Sequence, residues 1–293
     1  MKAIGTYPEG VLERLQEIET NILLVIDEVC EELGIPYVLD SGTCLGAVRH
    51  GGPIPWDDDA DIGMLYDDYV RFCNEADPLL KKRGCSLHMV GNTENYPCTW
   101  AKVYKDGTLF LGDAMMQSGN QQGIFVDVFY YVDLDQREKV AKKQIQTAVW
   151  AQRLLYLYYI KRPDLHEDGI SGALKLFASS LAHGVVSKVL SPSKIMGMLE
   201  RISVPEQPGD RVFKPAYALT GTYPRAAFLP VQHVDYAGHS LPIPGDYHTI
   251  LTTMFGEYMT PPPEGKRGKS ETYILDFGDG INQMTGKSYV WPE

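Results

Sequence analysis

Apolar residues return every three or four positions through Val11, Leu12, Leu15, Ile18, Ile22, Val25, Ile26, Val29 and Leu33. That spacing keeps one face apolar and predicts a helix over residues 8–33, with Pro8 in the first turn and Gly34 as the stop. The pattern then shortens. IPYVLDS (35–41) is a brief apolar run and predicts a strand, GTCLGAVRH (42–50) a short helix opened by Gly42 and Thr43, and GGPIPW (51–56) a loop. DADIGML (59–65) alternates polar and apolar residues, which is strand periodicity. A second helix is predicted over 67–83, capped by Asp67, divided near Pro78 and ended by Gly84.

CSLHMV (85–90), YPCTWAKVY (96–104) and GIFVDVFYYV (123–132) read as further strands, and residues 136–160 and 171–190 as helices. SVPEQPGD (203–210) reads as a linker, and a last helix is expected at 246–259. Strands dominate residues 35–132 and helices the middle of the chain. The fold class expected is therefore α+β, a mixed β-sheet flanked by helices with a helical segment between. The expected division is a core over 1–135, the helical segment over 136–210, and a C-terminal part over 211–293 that completes one integrated unit.

The formal charge of −11 on 293 residues argues against a nucleic-acid groove, which needs a basic stripe. It leaves a nucleotide substrate open, since metal ions carry positive charge locally. Five cysteines without Cys-x-x-Cys spacing suggest neither a zinc ribbon nor a disulfide framework. Free thiols fit a cytoplasmic setting. The first ten residues do not resemble a signal peptide, and no run of about 18 apolar residues is present to span a bilayer.

Chemistry concentrates in residues 40–64, where Asp40, Asp57, Asp58, Asp59 and Asp61 gather around a glycine-rich turn. On a strand, Asp59 and Asp61 project to one face, about 6.6 Å apart at a rise of roughly 3.3 Å per residue. FVDVF (125–129) sets a single acid, Asp127, in an apolar strand, where a carboxylate needs a partner. Three carboxylates from two adjacent strands suit Mg²⁺ or Mn²⁺, hard cations that prefer oxygen. Gly42 and Thr43 open a helix whose free N–H groups suit a phosphate, and Arg49 has the planar fork to grip one. Plainer readings stand beside these: loop caps for Asp57 and Asp58, a Lys102 partner for Asp127, a surface ion pair for Arg49, and an ordinary half-buried ring for His50. A calcium loop counted from Asp57 fails, because Ile62 stands where glycine is required.

SGTCLGAVRHGGPIPWDDDADIGM (41–64) resembles the signature of the LicD family, typified by bacterial cholinephosphotransferases that decorate cell-surface glycans. GIFVDVFYYVD (123–133) is similar to its second motif and LPIPGDYHTILTTMFGEYMTPPPEGKR (241–267) to its C-terminal one. The chain departs from the pattern at Pro53 and Ala60 and lacks a histidine soon after Arg267. The resemblance implies a DNA polymerase beta-like nucleotidyltransferase fold. It implies Asp59, Asp61 and Asp127 as catalytic metal ligands and Gly42 and Thr43 as the turn that binds the substrate's phosphate; Arg49, His50 and Asp58 are expected beside them as further substrate-binding residues. It further implies transfer of a phosphoalkyl group, such as phosphocholine, from a CDP-linked alcohol to a sugar hydroxyl of a glycan or lipid-linked glycan. Trp56, Tyr69, Trp100 and Tyr104 are candidates for holding the alcohol.

Two other classes remain open from the residues: a metal-dependent glycosyltransferase with an Asp-x-Asp motif, and a non-catalytic calcium- or carbohydrate-binding module. In the helical segment, Leu174, Leu176, Phe177, Leu181, Val185, Val186 and Val189 follow helical spacing. Core packing is the first expectation for them. Peripheral contact with the inner face of a membrane is the second, with Lys175, Lys188 and Lys194 toward anionic lipid.

Overall fold

The computed structural model describes residues 6–162, 170–267 and 272–289, without the side chains of 170–178 and 266. The chain opens with helix α1 (Val11–Leu33), entered from Gly10 and closed by Gly34, both in the left-handed region that glycine tolerates. Its apolar stripe of Leu15, Ile18, Ile22, Ile26 and Val29 is buried. Strand β1 (Val38–Leu39), helix α2 (Ser41–His50) and strand β2 (Asp61–Leu65) follow.

The helix predicted over 67–83 is two helices, α3 (Tyr66–Glu75) and α4 (Asp77–Lys81), parted at Ala76 just before Pro78. Asp67 lies inside the first turn of α3 and does not cap it. Strands β3 (Cys85–His88), β4 (Ala101–Lys105) and β5 (Leu109–Gly112), helix α5 (Asp113–Ser118) and the long strand β6 (Phe125–Asp135) complete the first half.

The helical segment holds α6 (Glu138–Tyr159), α7 (Ile170–Val189) and α8 (Pro192–Ser203). The third of these was not predicted, although its start is written in Ser191-Pro192: the Ser191 hydroxyl accepts from the Lys194 N–H, and proline suits the first helical position.

After it come β7 (Pro208–Phe213), β8 (Tyr223–Pro224), the hairpin β9 (Gln232–Tyr236) and β10 (His239–Ile243), α9 (Tyr247–Phe255) and β11 (Thr272–Asp276). Residues 208–210 are thus strand where a linker was expected. β6 runs eleven residues, beyond the reach of β2, and its far half pairs with β7 through Val132 opposite Phe213. Pro208 sits at the first strand position, where its missing N–H is tolerated.

The main sheet runs β1-β2-β6-β4-β3, with β7 and β8 extending it from β6. β2 and β6 are parallel; the other pairs are antiparallel. The fold is α+β. Because side chains alternate, Ile62, Met64, Val126, Val128 and Tyr130 share the face packed into the core. Asp61, Gly63, Asp127 and Phe129 share the other.

Candidate active site

Asp61 is the first residue of β2 and stands opposite Asp127 in the parallel register. Lys102 on β4 stands opposite Asp127 on its other side. Asp61, Asp127 and Lys102 thus form one row across three strands. The Lys102 partner is present: its Nζ lies 2.8 Å from Asp127 Oδ1, and the Trp100 indole N–H donates to the same oxygen at 2.8 Å. Both bonds fall on Oδ1, so they orient the carboxylate with Oδ2 directed away from them. Burial pulls the Lys102 pKa down, but Asp127, Cys98 and Asp59 together more than offset this, so the pKa is raised and the lysine stays charged.

Asp59 lies in the loop just before β2, not on the strand, so simple alternation does not describe it. It is still close enough for the acids to feel one another. Burial raises the Asp61 pKa well above the usual carboxylate range, with Asp59 and then Asp127 adding to the rise. Asp59 is pushed up to about 8, by its desolvating surroundings first and then by Asp57, Asp127 and Asp58. Its side chain nevertheless opens to solvent, and screening there reduces the size of the effect without changing its sign. Asp57 is raised to about 6 by burial and by Asp58.

The loop is held from below by α1. Gln16 Nε2 donates to the Ile54 carbonyl at 2.9 Å and the Asp57 carbonyl at 2.8 Å. Beneath it lies Glu19, buried, with Oε1 lacking a hydrogen-bond partner among the described residues and its pKa raised by burial and then by Asp59, Asp58, Asp57 and Asp61. Asp58 accepts from the Tyr7 hydroxyl at 2.6 Å, and Tyr7 also meets Thr272 Oγ1 at 3.0 Å. The chain start, the acid loop and β11 are tied together there.

At the start of α2, a Cβ on Gly42 would lie 2.7 Å from Asp57 Oδ2, so only glycine lets that carboxylate rest on the first turn. Thr43 Oγ1 accepts from the Asp61 N–H at 2.7 Å, which locks α2 to β2. Asp40 caps the helix and also accepts from the Tyr131 hydroxyl at 2.7 Å. Arg49 and His50 are at the other end, roughly 9 Å along the axis at 1.5 Å per residue. Arg49 donates to the Tyr258 carbonyl at 2.6 Å and to His50 Nε2 at 3.0 Å. Arg49 and Arg267 both face the Trp56 ring, at 6.0 and 4.1 Å from its centre.

Sequence reasoning missed Lys214. This buried lysine bonds Asp40 Oδ2 at 3.0 Å and Ser41 Oγ at 2.6 Å, and it lies 4.5 Å from the Phe129 ring centre and 5.3 Å from that of Tyr217. Its charge opposes the rise of the Asp61 pKa. Ser41 has φ of 47°, a strained backbone that the Lys214 bond helps hold. Tyr217 was also missed. It is 44% exposed and packs with Trp100 and Phe129 beside Asp127. Of the aromatic candidates, Tyr69 and Tyr104 belong to the core: Tyr69 accepts from the Ala101 N–H and Tyr104 stacks on His88.

Among the described residues, no three acid, histidine or cysteine side chains are gathered closely enough to hold a cation as they stand. The donor set has the chemistry for one. Desolvated carboxylate oxygens repel each other, and an orphaned buried carboxyl oxygen lies beneath them. Protons stand in for positive charge here, which gives a signed expectation. Between a carboxylate's ordinary pKa of about 4 and its raised value, the unfolded chain has released protons that the folded chain keeps. Stability without divalent cations should therefore fall as pH rises from about 4 to about 8, and magnesium should flatten the slope. Melting temperatures against pH, in chelator and in magnesium, test this; a flat profile in chelator would refute the crowding.

An acid-x-acid pair at the entry to β2, fed by a Gly-Thr helix, with a third acid in register with Asp61 on the parallel neighbour strand, is a nucleotidyltransferase-type arrangement. Residues 34–156 match the family described as LicD/FKTN/FKRP, nucleotidyltransferase domain. Over those residues the chain is similar to the LicD family. It is 28% identical over 276 residues to the lipopolysaccharide cholinephosphotransferase LicD of Haemophilus influenzae, covering 90% of this chain and 98% of that protein. It is 50% identical over 82 residues to the ribitol 5-phosphate transferase FKRP of Homo sapiens, covering 26% of this chain and 16% of that protein. The ribitol-5-phosphate transferase FKTN of Mus musculus is 42% identical over 49 residues, or 17% of this chain and 11% of that protein.

Proposed function

We propose that this LicD-like phosphotransferase moves a phosphoalkyl group from a CDP-linked alcohol to a sugar hydroxyl of a glycan or lipid-linked glycan, with CMP leaving. The observation that carries the reading is the row of Asp61, Asp127 and Lys102 beside the start of α2. Asp59, Asp61 and Asp127 would hold divalent cations, Mg²⁺ or Mn²⁺. When bound, such cations neutralise the donor's phosphates and the charge that develops in the displacement.

The protein's own groups supply the rest. The first turn of α2, at Gly42 and Thr43, offers N–H groups and the helix's positive end to the transferred phosphate. Lys214 adds charge at the same point. Asp127, oriented through Oδ1 by Lys102 and Trp100, presents Oδ2 to receive the acceptor hydroxyl's proton. Arg49 and Arg267, gathered at Trp56, supply positive charge for the diphosphate. His50 and Asp58 hold neighbouring parts of the wall. Trp100 and Tyr217 offer an aromatic face to the alcohol.

Incubation with CDP-choline and CDP-ribitol in magnesium, with CMP measured, tests the reading. CMP release that a sugar acceptor stimulates and chelator stops is expected. Release of a nucleoside diphosphate from a nucleotide sugar would mark a glycosyltransferase instead. Tyr217→Ala should raise KM for the donor about tenfold and leave kcat within a few-fold, because it removes contact with a part that does not react.

A further inference from the structure

Of the α7 residues expected in the core, Leu174, Leu176 and Phe177 lie outside the described side chains, and the expectation fails at Leu181, Val185 and Val189. Leu181, Val185 and Val189 are 63%, 56% and 66% exposed. Spaced four residues apart, they form one apolar stripe along the last two turns of the helix. The opposite side of α7 packs on α6: His183 Nδ1 meets the Leu157 carbonyl at 2.9 Å, and the Ser180 hydroxyl donates to the Lys161 carbonyl. These pairings make the two helices antiparallel and bring Arg153 and Trp150 of α6 to the level of Val185–Val189. Trp150 is 58% exposed with Arg153 at 5.8 Å from its ring. Lys188, exposed, sits at the edge of the stripe, and exposed Lys194 follows at the start of α8.

Charge sorts the same way. Helix α7 carries two lysines and no acid. Residues 136–203 hold eleven Lys and Arg against five Asp and Glu, a net of +6 in a chain of −11, which leaves −17 for the remainder. Among the described residues, no helix is long and apolar enough to cross a membrane. An apolar stripe with an exposed tryptophan and basic flanks, on a helix too polar to span, has the signature of one that lies in a bilayer interface.

We infer that the Leu181–Val189 face of α7, with Trp150, Arg153, Lys188 and Lys194 at its margins, docks on a lipid surface bearing anionic headgroups. The strongly acidic remainder is repelled by that surface, so docking also orients the molecule. This inference does not rest on the proposed reaction, and its test involves no turnover.

The purified full chain is sedimented with vesicles of phosphatidylcholine alone, and of phosphatidylcholine with phosphatidylglycerol. Wild type should pellet about tenfold more with the anionic vesicles, and raised salt should release it. Leu181→Asp/Val185→Asp should lose about tenfold of that binding, with unchanged circular dichroism, since both positions are exposed. Lys188→Glu, which leaves the apolar stripe intact, should weaken binding to anionic vesicles only. Wild type that stays in the supernatant with anionic vesicles overturns the inference, as does a double variant that pellets like wild type. A wild-type dimer that the double variant converts to monomer would show that a second copy covers the face, and it overturns the lipid assignment too.

Discussion

Asp127→Asn is expected to lower CMP release about a thousandfold or more, since it removes one negative charge from the proposed cation site and the acceptor of the hydroxyl's proton. Asparagine is the informative replacement. Lys102 is buried against Asp127, and alanine would leave that ammonium without its carboxylate partner at a cost of about 3–5 kcal/mol. Asparagine keeps an oxygen for Lys102 and Trp100, so the loss of stability should stay near 1–3 kcal/mol. Turnover is to be measured on protein whose cooperative melt shows it folded. A variant within a few-fold of wild type would remove Asp127 from the chemistry and leave it a structural partner of Lys102.

Lys214→Met should be the next most damaging change. It strands the buried Asp40 carboxylate, which caps α2 and holds the Tyr131 hydroxyl, and should cost about 3–5 kcal/mol. It also takes a positive charge from the start of α2, and transfer should fall about a hundredfold. The double change Asp40→Asn/Lys214→Met separates the two effects. With neither charge buried, melting should recover by several degrees, while activity stays low because the charge beside the phosphate is still absent. Recovery of both together would make Lys214 purely structural.

The first half of the site was legible because its parts are neighbours in sequence. Gly42 and Thr43, the acid loop and the alternation of β2 fall within about two dozen residues, and each signal is local. Asp127 was found by one further rule, that an acid in an apolar strand needs a partner. The same rule applied to VFKPAYAL (212–219) would have flagged Lys214, a single charge in an apolar run. What it bonds could not be read, because β7 reaches α2 only through its pairing with the far half of β6. Proline and glycine hid β7 itself by breaking the period that marks a strand.

Asp59 shows the opposite failure. Its spacing from Asp61 suggested a shared strand face, yet it belongs to the loop, and its nearness to the other acids comes from how α1 and Gly42 hold that loop. The stripe on α7 shows the limit of periodicity: helical spacing of apolar residues identifies a face, and only the positions of the neighbouring helices decide whether that face is covered. Arg49 was expected to grip a phosphate from its chemistry; its bond to the Tyr258 carbonyl and its place over Trp56, which join α2 to the C-terminal motif, could not be read from the sequence.

Titration of Mn²⁺ followed by its paramagnetic resonance signal, in the presence of a CDP-linked alcohol, asks most directly whether these three acids are a cation site. Wild type should take up the ion, and Asp61→Asn and Asp127→Asn should each leave it free in solution at the same concentrations. Undiminished uptake by both variants would place the ion elsewhere and leave the carboxylate row without its proposed purpose.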